Sequence, residues 1–480
     1  MKKKKHASDI EVEQVKLHPL LGLHPGLYLS ILYLIIIGIV VFVVGFLPSF
    51  FHTGKRVTFT SDVSPSVVYV DGSYVGSTPT TQFLTPGEYT IRYDSYDIAS
   101  DEFTITVSTP RFLTWLFPRK QIVHQSTFIE DNSTFSSYLQ QMLINVKKWS
   151  KVTPGEDYHR PNMWDMVAHT SSKLAIDVSE ELSLFYNEAL LFIQDSEYLK
   201  QADTALQLLQ KHHLLSKDQQ DVLTKKILLI EQLFDKESGL LIGLPIDHTN
   251  PSYEKSSLGT ITDGWLYSSQ GFVIGEQVHL QWPEILSSGK QVRVESFSIA
   301  SSYVSEYQWA HFMKENPYWD ISNKEQLIAD GVVDDSYLHG QYPTTTIQSH
   351  KPIRNISYYS AVAYTQWLSA LTTADVFIPT EAMWEIALAS VSEKPYALST
   401  NPSIDNEGPS NLLGGYWEFT STDFIPLQRL FGDDIVSTSD EIIVKGGSYL
   451  NDPKQISRTT VGVLSKSECS ESASFRIAWR

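Results

Sequence analysis

Cysteine is nearly absent from this chain: Cys469 is the only one in 480 residues. An internal disulfide framework is therefore excluded, and so is any chemistry that needs two thiols of the same chain. Positive charge is scarce as well, with 37 Lys and Arg against 55 Asp and Glu and a net charge of −18. The balance is uneven. Residues 1–26 hold Lys2, Lys3, Lys4, Lys5 and Lys16 against Asp9, Glu11 and Glu13, a net of +2, so the remainder carries −20. A body that acidic repels phosphate backbones and anionic headgroups, which argues against nucleic acid as a partner. Long apolar runs are missing too, with one exception near the N-terminus. What is present suffices for packed cores. Hydrophobic residues make up 42% and aromatics 12%, so this is not a disordered chain, and its length suits about three domains.

The exception is Leu27–Leu47, a stretch without a charge. At ~1.5 Å rise per residue it crosses a ~30 Å hydrocarbon core as a helix. It is long for the apolar region of a signal peptide, and Gly45-Phe46-Leu47-Pro48 is a poor cleavage site, so it reads as an uncleaved, single-pass transmembrane anchor over residues 27–47. Five lysines precede it, whereas Lys55 and Arg56 follow closely. The positive-inside rule then makes residues 1–26 a cytoplasmic basic tail and places the bulk outside the cell membrane.

Residues 57–107 have a period of two. Tyr89, Ile91 and Tyr93 alternate with Thr90 and Arg92, and Phe103, Ile105 and Val107 with Thr104 and Thr106. Asp71-Gly72 and Pro86-Gly87 supply turns, which predicts a small, half-buried antiparallel β module. The succession Val68-Tyr69-Val70-Asp71-Gly72, Val75-Gly76-Ser77-Thr78-Pro79 and Leu84-Thr85-Pro86-Gly87-Glu88-Tyr89 resembles the PEGA domain. That resemblance implies a β-sandwich-like module of envelope and surface proteins, with no catalytic residues.

Residues 133–235 change to helical spacing. Leu182, Phe185, Tyr186, Ala189, Leu190 and Ile193 share one face, as do Leu223, Ile227, Ile230 and Phe234. This predicts a helical spacer or packing platform. His212-His213, His159 and His169 lack the spacing of a metal site and read as solvated helix-end residues.

Residues 260–480 mix short strands, few helices and long irregular stretches, an α+β pattern. Ser305 and Gln308 predict a capping box opening a helix. A second helix over about Ser360–Leu371 places Ala361, Tyr364, Leu368 and Leu371 on one face, and a third starts at the cap Thr380 with Met383, Trp384 and Ala387 inward. Four motifs follow in order. Pro352-Ile353-Arg354-Asn355-Ile356-Ser357-Tyr358 and Ile378-Pro379-Thr380-Glu381-Ala382-Met383-Trp384-Glu385 are the first two. Gly414-Gly415-Tyr416-Trp417-Glu418-Phe419-Thr420 and Lys445-Gly446-Gly447-Ser448-Tyr449 complete the set. Together they resemble the sulfatase-modifying factor family, to which the formylglycine-generating enzyme belongs. The resemblance spans nearly half the chain and implies a C-type-lectin-like α+β fold.

It also implies a specific chemistry, which this chain does not carry at the matching positions. The active enzyme oxidises a substrate cysteine with copper held by two cysteines just after the Gly-Gly-Ser-Tyr motif. The corresponding positions here are Asn451 and Ile456. Soft thiolates select Cu(I), so no copper is expected. Cys469 lies outside the motif, and the neighbouring Glu468 and Glu471 disfavour its thiolate. The iron-dependent branch of the superfamily needs a His-x-x-x-His pair that is missing from the helical region, and His311, His339 and His350 are scattered. The resemblance further implies a candidate calcium site at Asn411, Gly414, Tyr416 and Glu418. A turn cap at Asn411 and buried hydrogen bonds at Glu418 account for the same residues without a metal.

The expectation is a membrane-anchored, extracytoplasmic pseudoenzyme acting as a binding or scaffold module of the cell envelope, its partner an envelope protein or surface ligand. One alternative is an enzyme of the same superfamily that uses another cofactor, with Ser448, Asn451 and Arg458 as its polar groups. Another is a regulatory partner of an active paralogue or envelope machine.

Overall fold

The computed structural model describes residues 19, 22, 24–47, 54–96, 98–108, 120–151, 161–234, 251–274, 290–347, 349–391, 408–428 and 437–480. Most of the expected basic tail lies outside them. The chain divides into two compact units, Met1–Tyr138 with His169–Asp177, and Leu139–Ala168 with Val178–Arg480.

In the first unit, helix α1 (Pro25–Gly45) begins where His24 Nδ1 accepts the Gly26 N–H at 3.3 Å and a proline occupies the first turn. Its most apolar 18-residue stretch has a mean hydropathy of 3.0 and no residue buried in protein. A helix that is apolar on every side suits a hydrocarbon solvent, which is compatible with a single-pass anchor.

The β module follows with β1 (Lys55–Ser61), β2 (Val67–Val70), β3 (Ser73–Ser77), β4 (Thr80–Leu84), β5 (Gly87–Ser95), β6 (Ile98–Ala99), β7 (Phe103–Val107) and β8 (Lys120–Gln125). One sheet has the order β4-β1-β8. The other is β3-β2-β5-β6, with β7 also on β5. Alternation puts Val57, Phe59, Val68, Val70, Ile91, Tyr93, Val107 and Val123 in one core between them. At the Asp71-Gly72 turn both residues have positive φ, 49° and 75°, the geometry that turn chemistry requires. Strand β8 lies beyond the expected boundary at residue 107 and runs parallel to β1 over six register pairs. The module is therefore not purely antiparallel.

The helices are α2 (Asn132–Ser150), α3 (Met163–Ser171), α4 (Ser179–Ala189), α5 (Ser196–Lys211) and α6 (Lys217–Phe234). The predicted stripe Leu182, Phe185, Tyr186, Ala189, Leu190 and Ile193 is wholly buried, although α4 ends at Ala189 and tightens into a 3-10 turn over Leu190–Phe192. Trp164 is fully buried against Phe185, Tyr186 and Tyr198. Within the second unit these helices join the C-terminal region through Lys147. Its ammonium meets Glu188 at 3.0 Å, Ser437 Oγ at 3.1 Å and the Thr438 carbonyl at 2.8 Å.

The C-terminal region begins with β9 (Tyr253–Leu258), β10 (Thr262–Tyr267), β11 (Gln270–Ile274), β12 (Lys290–Val294) and β13 (Phe297–Ala300). Helices α7 (Glu306–Glu315), α8 (Lys324–Ala329) and α9 (Tyr358–Thr372) follow, then β14 (Val376–Phe377) and α10 (Glu381–Ala389). The last elements are β15 (Trp417–Asp423), β16 (Glu441–Lys445), β17 (Val461–Ser465), β18 (Ala473–Ser474) and β19 (Ala478–Trp479). They form sheets of order β14-β19-β13-β10-β9, β17-β16-β15-β18 and β11-β12. The capping box at Ser305 and Gln308 is present, and Thr380 caps α10. Ala361, Tyr364 and Leu368 face the core from α9, but Leu371 is 55% exposed. It sits in the last turn, where the chain leaves through Thr373 at φ 58° and the buried face has already ended.

Candidate functional site

Residues 410–418, the loop after β16 and Arg476, which lies between β18 and β19, meet beside α10. Gly446 and Gly447 turn the chain out of β16 with φ of 94° and 67°. A Cβ at Gly446 would stand 2.3 Å from the Leu412 carbonyl oxygen, and one at Gly447 2.8 Å from Ile456 Cγ1. Only glycine fits either place.

That turn fixes the two positions where the resemblance implies copper ligands. The Asn451 side-chain oxygen accepts from Ser448 N–H at 2.8 Å and from Ser448 Oγ at 3.0 Å, closing the loop on itself. Ile456 is buried in the cluster of Trp265, Met383 and Trp384. The Ser448 hydroxyl also accepts the Leu450 N–H at 3.3 Å, while Arg458 stands over the Phe272 ring at 5.7 Å. Cys469 is buried, its N–H donating to Asp334 Oδ2 at 3.0 Å. Burial, with the charges of Asp334 and Glu468 nearby, pushes the thiol above its usual pKa and disfavours the thiolate.

The candidate calcium residues do come together, around an ion pair. Glu418 is fully buried, with Oε2 at 2.5 Å from Arg476 Nε and Oε1 at 2.7 Å from Nη2. Desolvation raises the Glu418 pKa and Arg476 opposes the rise. The same guanidinium donates to the carbonyls of Ala300 at 3.1 Å, Ser301 at 3.4 Å and Ser410 at 3.1 Å. Asn411 has φ 58°, and its carbonyl accepts the Tyr303 hydroxyl at 2.7 Å. Gly414 N–H donates to the Gly446 carbonyl at 2.8 Å, and Tyr416 N–H to the Tyr303 hydroxyl at 3.3 Å. Calcium takes six to eight oxygens, usually with free carboxylates among them. Here the one carboxylate has both oxygens on a cation, so this set does not fit the ion.

A second buried charge cluster lies close by. Lys445 Nζ is 2.8 Å from Glu385 Oε1 and 3.4 Å from Glu381 Oε1, with all three side chains at or near zero exposure. The sequence motifs contain Glu381, Glu385 and Lys445 but give none of them a partner, and Arg476 was missed altogether. The signal was there in α10: two glutamates four residues apart on an otherwise apolar helix demand a buried counter-ion. At the surface, Tyr416 packs edge-on against Tyr303 and Tyr449, both at 5.7 Å, under the Arg354 guanidinium.

The histidines do not converge. His311 packs on Tyr307, His339 and His350 are exposed, and His212 and His213 end α5. His159 lies outside the described residues. Among those described, no group of three or more His, Cys, Asp or Glu could hold a metal ion.

A Borreliella burgdorferi protein, itself named only as uncharacterized, is 21% identical over 447 residues, covering 86% of each chain. Among solved structures, PvdO from Pseudomonas aeruginosa is 14% identical, with 48% of this chain and 99% of that one covered at a TM-score of 0.34. Variable protein 1 of Treponema denticola is 13% identical, with the same coverage and a TM-score of 0.32. The family matches agree with the two resemblances read from the sequence and with their order: residues 55–112 match the PEGA domain, and residues 272–413 match the sulfatase-modifying factor enzyme 1-like domain.

Proposed function

We propose that this protein is a membrane-anchored, extracytoplasmic pseudoenzyme whose sulfatase-modifying-factor-like domain serves binding or scaffolding in the cell envelope. The observation that carries the reading is the double commitment at the positions where the resemblance implies copper ligands. Asn451 is the cap of its own loop and Ile456 is part of the core, so neither position holds a thiolate or leaves room for one. The buried Cys469 supports the same conclusion, because a thiol held protonated cannot supply the missing pair. The Glu418–Arg476 pair supports a domain that is held together without calcium.

The test has two arms on the full-length chain reconstituted in bilayer discs. Copper and a cysteine-containing peptide should give no oxygen consumption and no aldehyde product; turnover abolished by Cys469→Ser would overturn the reading. Crosslinking in intact membranes should recover one specific envelope partner. Loss of that partner on deleting residues 260–480 is expected, and its retention would move the binding role to another part of the chain.

A further inference from the structure

The solvent face of the sheet β4-β1-β8 departs from the acidity of the rest of the chain. Register pairing places Phe83, Arg56 and Lys120 in one row across the three strands, and Thr81, Thr58 and Ile122 in the next-but-one row on the same face. Phe83 is 58% exposed and Ile122 72%, whereas the opposite face carries the buried Val57, Phe59 and Val123. Large apolar side chains are costly in water, and here two of them flank two cations. Neither Arg56 nor Lys120 has an ion-pair partner among the described residues. Asp62 lies at the far end of this face, 3.4 Å from His124.

The position of this face in the chain says what meets it. The row Phe83, Arg56 and Lys120 stands at the start of β1, and nine residues separate Gly45 of α1 from Lys55. That length reaches at most ~35 Å, so the face cannot leave the neighbourhood of whatever surface α1 enters. The sequence leading into β8 has the same chemistry, with Arg111 and Arg119 bracketing Phe112, Trp115 and Phe117. We infer that the β4-β1-β8 face of the β module rests on the membrane surface, Arg56 and Lys120 against anionic headgroups and Phe83 and Ile122 at the interface. The inference rests on reading α1 as an anchor. Because everything after residue 26 carries −20, an anionic bilayer repels the body as a whole, and this basic face sets the one orientation in which the module can lie down.

The buried Cys469 makes the test simple, since an added surface cysteine is the reactive one. The full chain carrying Thr81→Cys is labelled with a fluorophore and reconstituted in vesicles of phosphatidylcholine with or without phosphatidylglycerol. Quenching by headgroup-level nitroxide lipid is then compared with that of a Tyr74→Cys label on the other sheet. Quenching at Thr81→Cys should exceed the control several-fold in anionic vesicles, and should fall to the control on adding salt or on combining Arg56→Glu with Lys120→Glu. Quenching no greater than the control, or equal in neutral and anionic vesicles, overturns the inference while leaving the anchor intact. A chain that does not float with vesicles overturns the anchor and the inference with it.

Discussion

In the β module the charges stay at the surface. Arg92 and Asp94 pair at 3.0 Å on the half-exposed face of β5, and none of the buried residues described in the module is charged. The C-terminal region instead buries Glu381, Glu385, Glu418, Lys445 and Arg476 completely or nearly so. The difference follows from the backbone each has to satisfy. A two-sheet module pairs its N–H and C=O groups along strands and needs only alternation to choose a face. Residues 300–301 and 410 belong to stretches where the ladders run out, and there Arg476 supplies the donors that strands would otherwise provide. Buried charge here acts as a tie between irregular segments.

The largest expected effect breaks that tie. Arg476→Met should strand Glu418 without a counter-ion and cost about 3–5 kcal/mol in urea unfolding of the second unit, while Arg92→Met in the β module leaves the midpoint unchanged. A loss too small to measure would show that the pair is decorative. Next is the apolar counterpart: Ile91→Ala, fully buried between the two sheets, should cost about 2–5 kcal/mol in the β module by removing its central contact. Spectroscopic probes in each unit would show whether that loss stays in the first unit.

A smaller effect sharpens the contrast through pH. Burial holds Glu441 above the ordinary glutamate pKa even with Lys151 at 3.6 Å, so the folded chain binds this proton more tightly than the unfolded one. Its contribution to stability is full below the unfolded pKa and is lost as pH rises through the folded value. Glu441→Gln should therefore flatten the fall in unfolding midpoint across that window, and an unchanged slope would count against the assignment. The smallest effect expected is none: calcium and EDTA should give the same thermal midpoint, and a calcium-dependent rise of several degrees would mean that Glu418 exchanges Arg476 for the metal.

Much of this was legible beforehand. The helix of residues 25–45, the alternation around Ile91 and Tyr93 and the capping box at Ser305 all follow from local rules. The rest depends on partners far apart in sequence. Arg476 is 58 residues from Glu418 and 176 from Ala300, distances over which no periodicity connects them. Strand β8 escaped because Lys120–Gln125 offers only Ile122 and Val123 as apolar residues, and its place is set by β1 rather than by its own pattern.

That late strand has a mechanical consequence. β1 receives the chain from the helix of residues 25–45 at its N-terminal end, and β8 delivers it onward at Gln125, with the two strands side by side and parallel. Tension applied between the two ends of the module therefore slides β1 against β8 lengthwise. The six register pairs from Arg56↔Lys120 to Ser61↔Gln125 are loaded together, not peeled one after another. Pulled by its termini in a force spectrometer, the module is expected to hold until these pairs fail as a set, a clasp in shear rather than a zipper.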